Sequence, residues 1–549
     1  MTSGGRKLEH FWFIATVGLF LLAAVLINPI RETPLIDDWA YALTVKHLLD
    51  SGEFRIHEFL SANMPVQAYY GALFCVAGGY GFAMLRLSTL VMSIVGLFAF
   101  YGLAREHRVS RRTAALLVLV LAGSPLYLQF SFNFMTNVPF ITATLVALFC
   151  YTRALRRYSL WLVFAGSVAA AAALGIRVFG VALIAAIGIM MILDRDRFRH
   201  VLFYVLALTL PVLAAAWQLF AGSANANWGA VYATAQMQRH FAQPGEVASE
   251  FIWRPMAIAT CVALFAYPPV VAAIVDLLRR ARSNGKTSIV VGLLCFWLFG
   301  SLLFGALVMG KSWLMPLLPW QTHIISQFGI VPQLVVTIVS YTGGVALTWI
   351  CVRHYVRGLK KRTPLRVWLL NANYGFAFAI NLVFFQLGDV YLIKFIPFVA
   401  IMIAMNARHT LRRLHLPLYG LGVVIFVMSA LWTWNILVWF EGHWVEAEKL
   451  RQSGIHPSNI ACERMTNNAL WVGYHQVQDF TDSVDPTKLT DNEDFWIRWN
   501  RGRRDQAEYW ITIKPPNDSG DVINTREIYS LRHGGYVTIY TLRRRMPSP

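Results

Sequence analysis

A chain of 549 residues with 57% hydrophobic and only 14% charged residues, at a mean hydropathy of +0.50, is not a string of ordinary soluble domains, which carry about a quarter charged residues. Its net charge of +19 raises nucleic acid as a partner. The basic residues sit in short loops between apolar runs, however, so membrane topology accounts for them and no nucleic acid is implied.

The charge is unevenly spread. Residues 1–440 hold 34 Lys/Arg against 14 Asp/Glu, whereas 441–549 hold 14 against 15. The first part reads as a membrane domain and the second as a small water-facing domain. The six cysteines, Cys75, Cys150, Cys261, Cys295, Cys351 and Cys462, are scattered without metal or disulfide spacing.

A membrane-crossing helix needs roughly 20 apolar residues. In chain order, such runs lie near 10–30, 85–103, 114–130, 138–152, 160–176, 178–193, 201–221, 254–275, 288–309, 328–350, 367–387, 391–407 and 416–440, about thirteen spans. No small residues stand at a cleavage spacing around Asn28-Pro29-Ile30, so the first run is expected to be a retained anchor. A first outer loop covers 31–84. Its apolar stretch 66–84 is interrupted by Gly78-Gly79-Tyr80-Gly81 and is expected to be a helix at or dipping into the interface. With the N-terminus inside, the inner loops collect 25 Lys/Arg and the outer side before residue 441 only 9, in the sense of the positive-inside rule. The tail then lies outside. It should open with an amphipathic helix near 444–453. Strands are expected at Tyr509–Ile513 and Tyr536–Tyr540, punctuated by Pro515-Pro516-Asn517-Asp518 and His533-Gly534-Gly535.

This topology sends the unusual polar residues to one mouth: Asp37 and Asp38 after the first span, Asn137 between spans three and four, Arg177 between five and six, and Asp389, Tyr391 and Lys394 between eleven and twelve. Each has a bland alternative. The aspartates could be a solvated loop or a helix cap, and Asn137 a cap. Arg177 could snorkel, and Asp389 and Lys394 could pair with each other. Gathered in one cavity, they suit a different chemistry. A carboxylate takes the proton from an attacking hydroxyl, while Arg and Lys hold a departing phosphate. A proton-coupled transporter would also place acids and bases in a cavity.

The sequence resembles the bacterial GT-C glycosyltransferases that use polyprenyl-phosphate sugars, the family of protein O-mannosyltransferases and of lipid A aminoarabinose transferases. The resemblance is carried by Pro34-Leu35-Ile36-Asp37-Asp38-Trp39-Ala40-Tyr41, Leu48-Leu49-Asp50-Ser51-Gly52-Glu53-Phe54, Arg86-Leu87-Ser88, Ser124-Pro125 and Phe134-Met135-Thr136-Asn137-Val138-Pro139-Phe140. Later, Asp389-Val390-Tyr391-Leu392 and Pro397 look like the family's Asp-Arg-Tyr-Leu stretch and trailing proline. The resemblance implies a GT-C-like polytopic helical protein with a small C-terminal α/β outer domain, set in a bacterial inner membrane. It implies Asp37 as catalytic base, with Asp38 orienting it or binding the sugar. Two departures stand out: Asn137 where relatives commonly have aspartate, and Val390 where they have arginine.

The expected activity is therefore inverting transfer of a sugar from a polyprenyl-phosphate-linked donor to a lipid, glycan or protein acceptor at the outer face. Arg86, Arg177 and Lys394 are candidates for the phosphate, and Asn137, Asp389 and Tyr391 for further substrate contacts. No metal site is indicated, and the sequence does not decide whether a divalent cation is needed. The alternatives are a secondary transporter, for which no convincing internal repeat is found, and a non-catalytic relative that binds a lipid-linked sugar.

Overall fold

The computed structural model describes residues 3–60, 64–194, 196, 200–224, 228–283, 285, 330–360, 363–383, 391–462, 471, 474–475, 507–515, 520–531 and 533–544. The first helix, α1 (Ser3–Ile27), is followed by two shorter ones in the first loop, α2 (Asp38–Ser51) and α3 (Pro65–Gly78). The bundle then continues through α4 (Phe82–Glu106), α5 (Arg111–Gly123), α6 (Pro125–Ser131), α7 (Asn137–Arg157), α8 (Leu160–Ile176), α9 (Val181–Leu193) and α10 (Val201–Ala224). After these come α11 (Trp228–Ala242), α12 (Pro244–Phe265), α13 (Tyr267–Ser283), α14 (Ile330–Lys360), α15 (Leu365–Val383), α16 (Phe395–Asn406), α17 (Arg408–Arg413) and α18 (His415–Gln452).

Twelve of the thirteen expected spans fall on these helices; the run 288–309 lies outside the described residues. Among the described residues five helices are long and apolar enough to cross a membrane by themselves, and seven spans result if each of two bent pairs counts as one. Three more apolar helices are shorter. Large apolar side chains on the periphery are open, such as Val25, Leu73, Leu219 and Phe220, each at least 68% exposed. A soluble monomer does not leave so many such faces bare; hydrocarbon is their solvent. Helix α5 is the opposite case, buried on every side from Thr113 to Gly123, and is the axis of the core.

The bends were not foreseen, and both occur at prolines. Between α5 and α6 the axis turns by 65° because Ser124, preceding Pro125, takes the extended conformation that a following proline favours. The run 254–275 is not one straight span. It divides between α12 and α13, which meet at 109° just before Pro268-Pro269.

The two ends of the bundle differ in the way the basic loops suggest. At one end Arg153 and Arg156 pair with Glu106, Arg353 with Asp276, and His415 bonds the carbonyl of Arg112. At the other, Arg31 pairs with Glu441 and Arg177 bonds Thr136. Among the described residues, the loops expected inside share the first end, and those expected outside share the second.

The tail does not begin with a separate helix. Residues 444–452 belong to α18, which runs for 38 residues and is capped by Ser453. At 1.5 Å per residue that is about 57 Å, roughly twice the hydrocarbon thickness, so α18 leaves the bundle as a post. Against it packs a four-stranded sheet in the order β1 (Ile460–Cys462), β2 (Tyr509–Thr512), β4 (Gly535–Arg544), β3 (Gly520–Ser530). The β1–β2 pair is parallel and the others antiparallel. Strands β2 and β4 match the expected ones. Strand β3 carried no signal because only Ile528 and Ser530 along it are buried, which leaves no alternation to read.

The sheet sits on α18 where Gly442 has no side chain. A Cβ there would lie 2.7 Å from Ile539 Cδ1 and 3.1 Å from Ile528 Cγ2. Buried Glu446 accepts from Asn524 Nδ2 at 2.7 Å and faces Arg526, tying the next turn of the post to β3. Replacing Gly442 by leucine is expected to cost about 1–3 kcal/mol by overpacking. The check is proteolysis of the full-length protein: the chain beyond Gln452 should be cut earlier while the bundle stays intact, with Gly442→Ala milder.

Candidate functional site

The turn that carries the two aspartates is strained and clamped. Ile36 has φ +54°, a left-handed conformation that a β-branched residue avoids at a cost of about 1–3 kcal/mol. Its neighbours over-determine it. The backbone N–H of Leu35 donates to Asp38 Oδ1 at 2.6 Å, and Asn133 Nδ2 reaches the Leu35 carbonyl at 3.4 Å. From α4, Arg86 donates to the carbonyls of Arg31, at 2.6 Å, and of Thr33. Its guanidinium stands 3.9 Å from Asp38 Oδ2, and both side chains are fully buried. One arginine thus holds both the backbone of the loop and the second carboxylate.

The start of α4 is fixed in the same way. Glu32 accepts from the N–H groups of Phe82 and Ala83 at 2.7 and 3.1 Å, so a carboxylate caps the positive end of the helix. A Cβ on Gly81 would lie 2.7 Å from that carboxylate, which explains the glycine there.

Within this frame the aspartates differ. Asp37 stands at the N-cap of α2, yet its side chain makes no capping bond; the reading as a simple cap is not realised. It keeps a partly open surface, and the protein packed round it pushes its carboxyl up to about 6. Asp38 is fully buried. Burial carries its carboxyl up to about 7 although Arg86 and the Leu35 N–H pull the other way, and the nearby Asp37 adds to the rise.

The cationic side is built by α7, α8 and the approach to α16. Arg177 ends α8 in an extended conformation. Its Nε donates to Thr136 Oγ1 at 2.5 Å and its Nη2 to Asn137 Oδ1 at 3.2 Å. Its guanidinium also lies 5.2 Å from the centre of the Tyr391 ring, within cation–π range. Lys394 is buried with Nζ 3.5 Å from the centre of the Phe179 ring, and it has no hydrogen-bond partner among the described residues.

Tyr41 joins the two sides. One helical turn beyond Asp37 on α2, it is buried with its hydroxyl in hydrogen-bonding reach of Thr136, and its titration feels both Arg177 and Asp37. Burial pushes that hydroxyl up to about 12, with Arg177 pulling it down.

Of the eight residues singled out in the sequence, Asp37, Asp38 and Arg86 form one group and Asn137, Arg177, Tyr391 and Lys394 another, adjoining it through Tyr41. Asp389 lies outside the described residues. Arg86 departs from the expected phosphate contact: with no exposed surface and two nitrogens on loop carbonyls, it is placed to hold the loop. Sequence reading missed Tyr41, Thr136, Asn133 and Phe179. Tyr41 could have been found, since i and i+4 share a helix face. Gln67 on α3 was also missed; it is buried, and neither end of its amide has a hydrogen-bond partner among the described residues. Among the described residues no three His, Cys, Asp or Glu side chains gather as a metal site.

A sequence-family model described as dolichyl-phosphate-mannose-protein mannosyltransferase matches residues 63–219. That segment contains Arg86, Asn137 and Arg177, and the match bears out the resemblance over that length. No curated protein matches the sequence. Among solved structures, ArnT from Cupriavidus metallidurans bound to undecaprenyl phosphate is 14% identical, with 97% of this chain and 98% of that one covered at a TM-score of 0.39. An oligosaccharyltransferase from Archaeoglobus fulgidus is 12% identical over 90% of this chain and 69% of that one, at 0.33. The arabinosyltransferase EmbB from Mycobacterium smegmatis is 14% identical over 73% and 41%, at 0.31. Over residues 63–219 the chain is thus similar to the dolichyl-phosphate-mannose-protein mannosyltransferases.

The clamp gives a direct test. Arg86→Met should destabilise the protein by about 3–5 kcal/mol, the usual cost of leaving one member of a buried ion pair alone. Pairing it with Asp38→Leu should recover part of that loss in thermal unfolding in detergent. A loss in the double variant equal to the sum of the two single losses would mean that the two groups are not coupled.

Proposed function

We propose that this chain is a membrane glycosyltransferase that moves a sugar from a polyprenyl-phosphate donor onto an acceptor hydroxyl, by direct displacement with inversion. The observation that carries this reading is the buried Tyr41, which feels both a partly open carboxylate, Asp37, and the guanidinium of Arg177, with Lys394 close to that guanidinium.

Asp37 takes the proton from the acceptor hydroxyl as its oxygen bonds to the anomeric carbon. The bond from that carbon to the phosphate oxygen breaks on the opposite face, and the electron pair leaves with the polyprenyl phosphate. Arg177 and Lys394 receive the charge. Lys394 suits this role because a buried ammonium with no anion beside it among the described residues is costly, and a phosphate would supply that anion. Asp38 and Arg86 act through position, fixing the turn on which Asp37 rides.

The asparagine at 137 fits the same scheme. It accepts a hydrogen bond from Arg177 as aspartate would, but it brings no charge, so the guanidinium keeps its full positive charge for the donor. Asp389 and Tyr391 remain candidate substrate contacts on this reading. The face bearing α2 is taken as the outer face of a bacterial inner membrane, with 1–440 as the transferase domain and 441–549 as the domain outside. The acceptor is a lipid, glycan or protein.

Transfer from a polyprenyl-phosphate sugar should fall about 100- to 10,000-fold in Asp37→Asn, the range for loss of a general base. Donor binding without turnover in the unaltered protein would make it a binding protein instead. The base works only when ionised, so kcat/KM should decline below about pH 6, and the substitution should remove that limb. Stability runs the other way. A carboxyl raised from 3.8 to about 6 favours its protonated form in the fold, so its contribution is fully present below pH 3.8 and lost as the pH rises through 6. Asp37→Asn should therefore keep or raise the thermal midpoint at pH 8 while transfer is lost; a midpoint that drops with activity would sink the base assignment.

Charge at position 137 offers an independent check. Asn137→Asp should raise the KM for the donor several-fold by neutralising Arg177, with a smaller effect on kcat. An unchanged KM would remove Arg177 from the phosphate site.

A further inference from the structure

The hairpin of β3 and β4 lies along α18 with its turn pointing back toward the bundle. Along the helix from Glu446 to Asn435 the contacts on β3 run the other way. Asn524 bonds Glu446, Ile528 packs near Gly442, and the N–H of Leu531 donates to Asn435 Oδ1 at 2.8 Å. At the tip His533 stacks with Trp439 at 5.8 Å, and Tyr529 lies 6.4 Å from Trp434.

Two measures give the height of that tip. Helix α18 starts at His415, which bonds Arg112 among the basic loops of one end. From there to Asn435 is 20 residues, about 30 Å, the thickness of the hydrocarbon core. The second measure is α1, which runs beside α18 in parallel: Trp12 and Thr16 meet Tyr419, and Arg31 meets Glu441, at sequence offsets of 407, 403 and 410. At these offsets Ile27, where the apolar helix ends, stands level with Trp434. Both measures put the hairpin turn where hydrocarbon gives way to headgroups.

Tyr529 and Tyr536 face each other across the strands, 5.4 Å apart and edge to face, yet they are 38% and 75% exposed. An exposed tyrosine pair on a hairpin tip has little reason to be aromatic in water. At the membrane interface, an apolar ring with a polar hydroxyl is the preferred side chain. We infer that the β3–β4 hairpin is a membrane-interface anchor, its Tyr529–Tyr536 pair seated among the lipid headgroups beside Trp434. The sheet is then held at a fixed height over the bilayer by two attachments, α18 and the hairpin tip. This assignment does not depend on the proposed reaction.

An environment-sensitive dye on Tyr536→Cys, in vesicles of phosphatidylethanolamine and phosphatidylglycerol, reads the seat directly. A second dye on Gln452→Cys, at the far end of the post, is the water-facing control, and labelling of the unsubstituted chain is subtracted. Emission at 536 should be blue-shifted relative to 452 and quenched by lipids carrying a nitroxide near the headgroup, with no quenching at 452. Water-like emission at 536 overturns the inference. A blue shift without lipid quenching also overturns it, since the ring would then be covered by protein such as a second copy of the chain.

Discussion

The buried guanidinium of Arg86 is the constraint on which the candidate site depends. It comes from a long apolar helix, α4, and reaches the carbonyls of Arg31 and Thr33 and the carboxylate of Asp38. Each carbonyl alone has little hold on a loop. Together they remove the freedom of the chain on the approach to Ile36, and that is what allows a β-branched residue to stay at positive φ. Without the clamp the turn would relax, and Asp37 would lose its fixed bearing on Tyr41 and the pocket beyond. Glu32 on the N-terminus of α4 acts in the same sense, so loop and helix hold each other.

Most of the bundle was legible because hydrophobic run length and loop charge are properties of single segments. The start of α7, the end of α8 and the start of α16 share one end of the bundle, and with them Asp37, Asn137, Arg177 and Lys394. What stayed hidden depends on partners distant in sequence. Arg86 reads as one more charge at a span start; only the fold shows that its donors go to loop carbonyls rather than to a ligand. The 109° bend before Pro268 is invisible to a window that averages hydropathy. Strand β3 hides because most of its side chains face solvent on both sides. The continuation of α18 past residue 440 was missed for a simpler reason, since its character changes from apolar to amphipathic without any helix-breaking residue.

The distribution of energetic costs separates a functional from a purely structural reading of these charges. A structural polar network satisfies its members, because an unpaired buried group costs more than an apolar one in the same place. Glu446 is such a case, with Asn524, Lys449 and Arg526 around it. Round Tyr41 the pattern is reversed. Ile36 is strained, Asp37 and Asp38 are pushed toward their neutral forms, and Lys394 is buried without a hydrogen-bonding partner among the described residues. These costs lie close together and at one end of the bundle. A fold selected for stability alone would have removed them one by one, since each could be relieved by a single substitution.

Their signs are also ordered. The carboxyls that burial pushes toward their protonated forms stand at the start of α2, and the basic side chains Arg177 and Lys394 are across Tyr41, at the end of α8 and before α16. A ligand with a hydroxyl at one end and a phosphate at the other would relieve both sets at once. A ligand carrying only one of those groups would leave the other set uncompensated. An uncharged Asn137 belongs to the same ordering: a carboxylate there would neutralise Arg177 from within the protein and remove half of the complementarity.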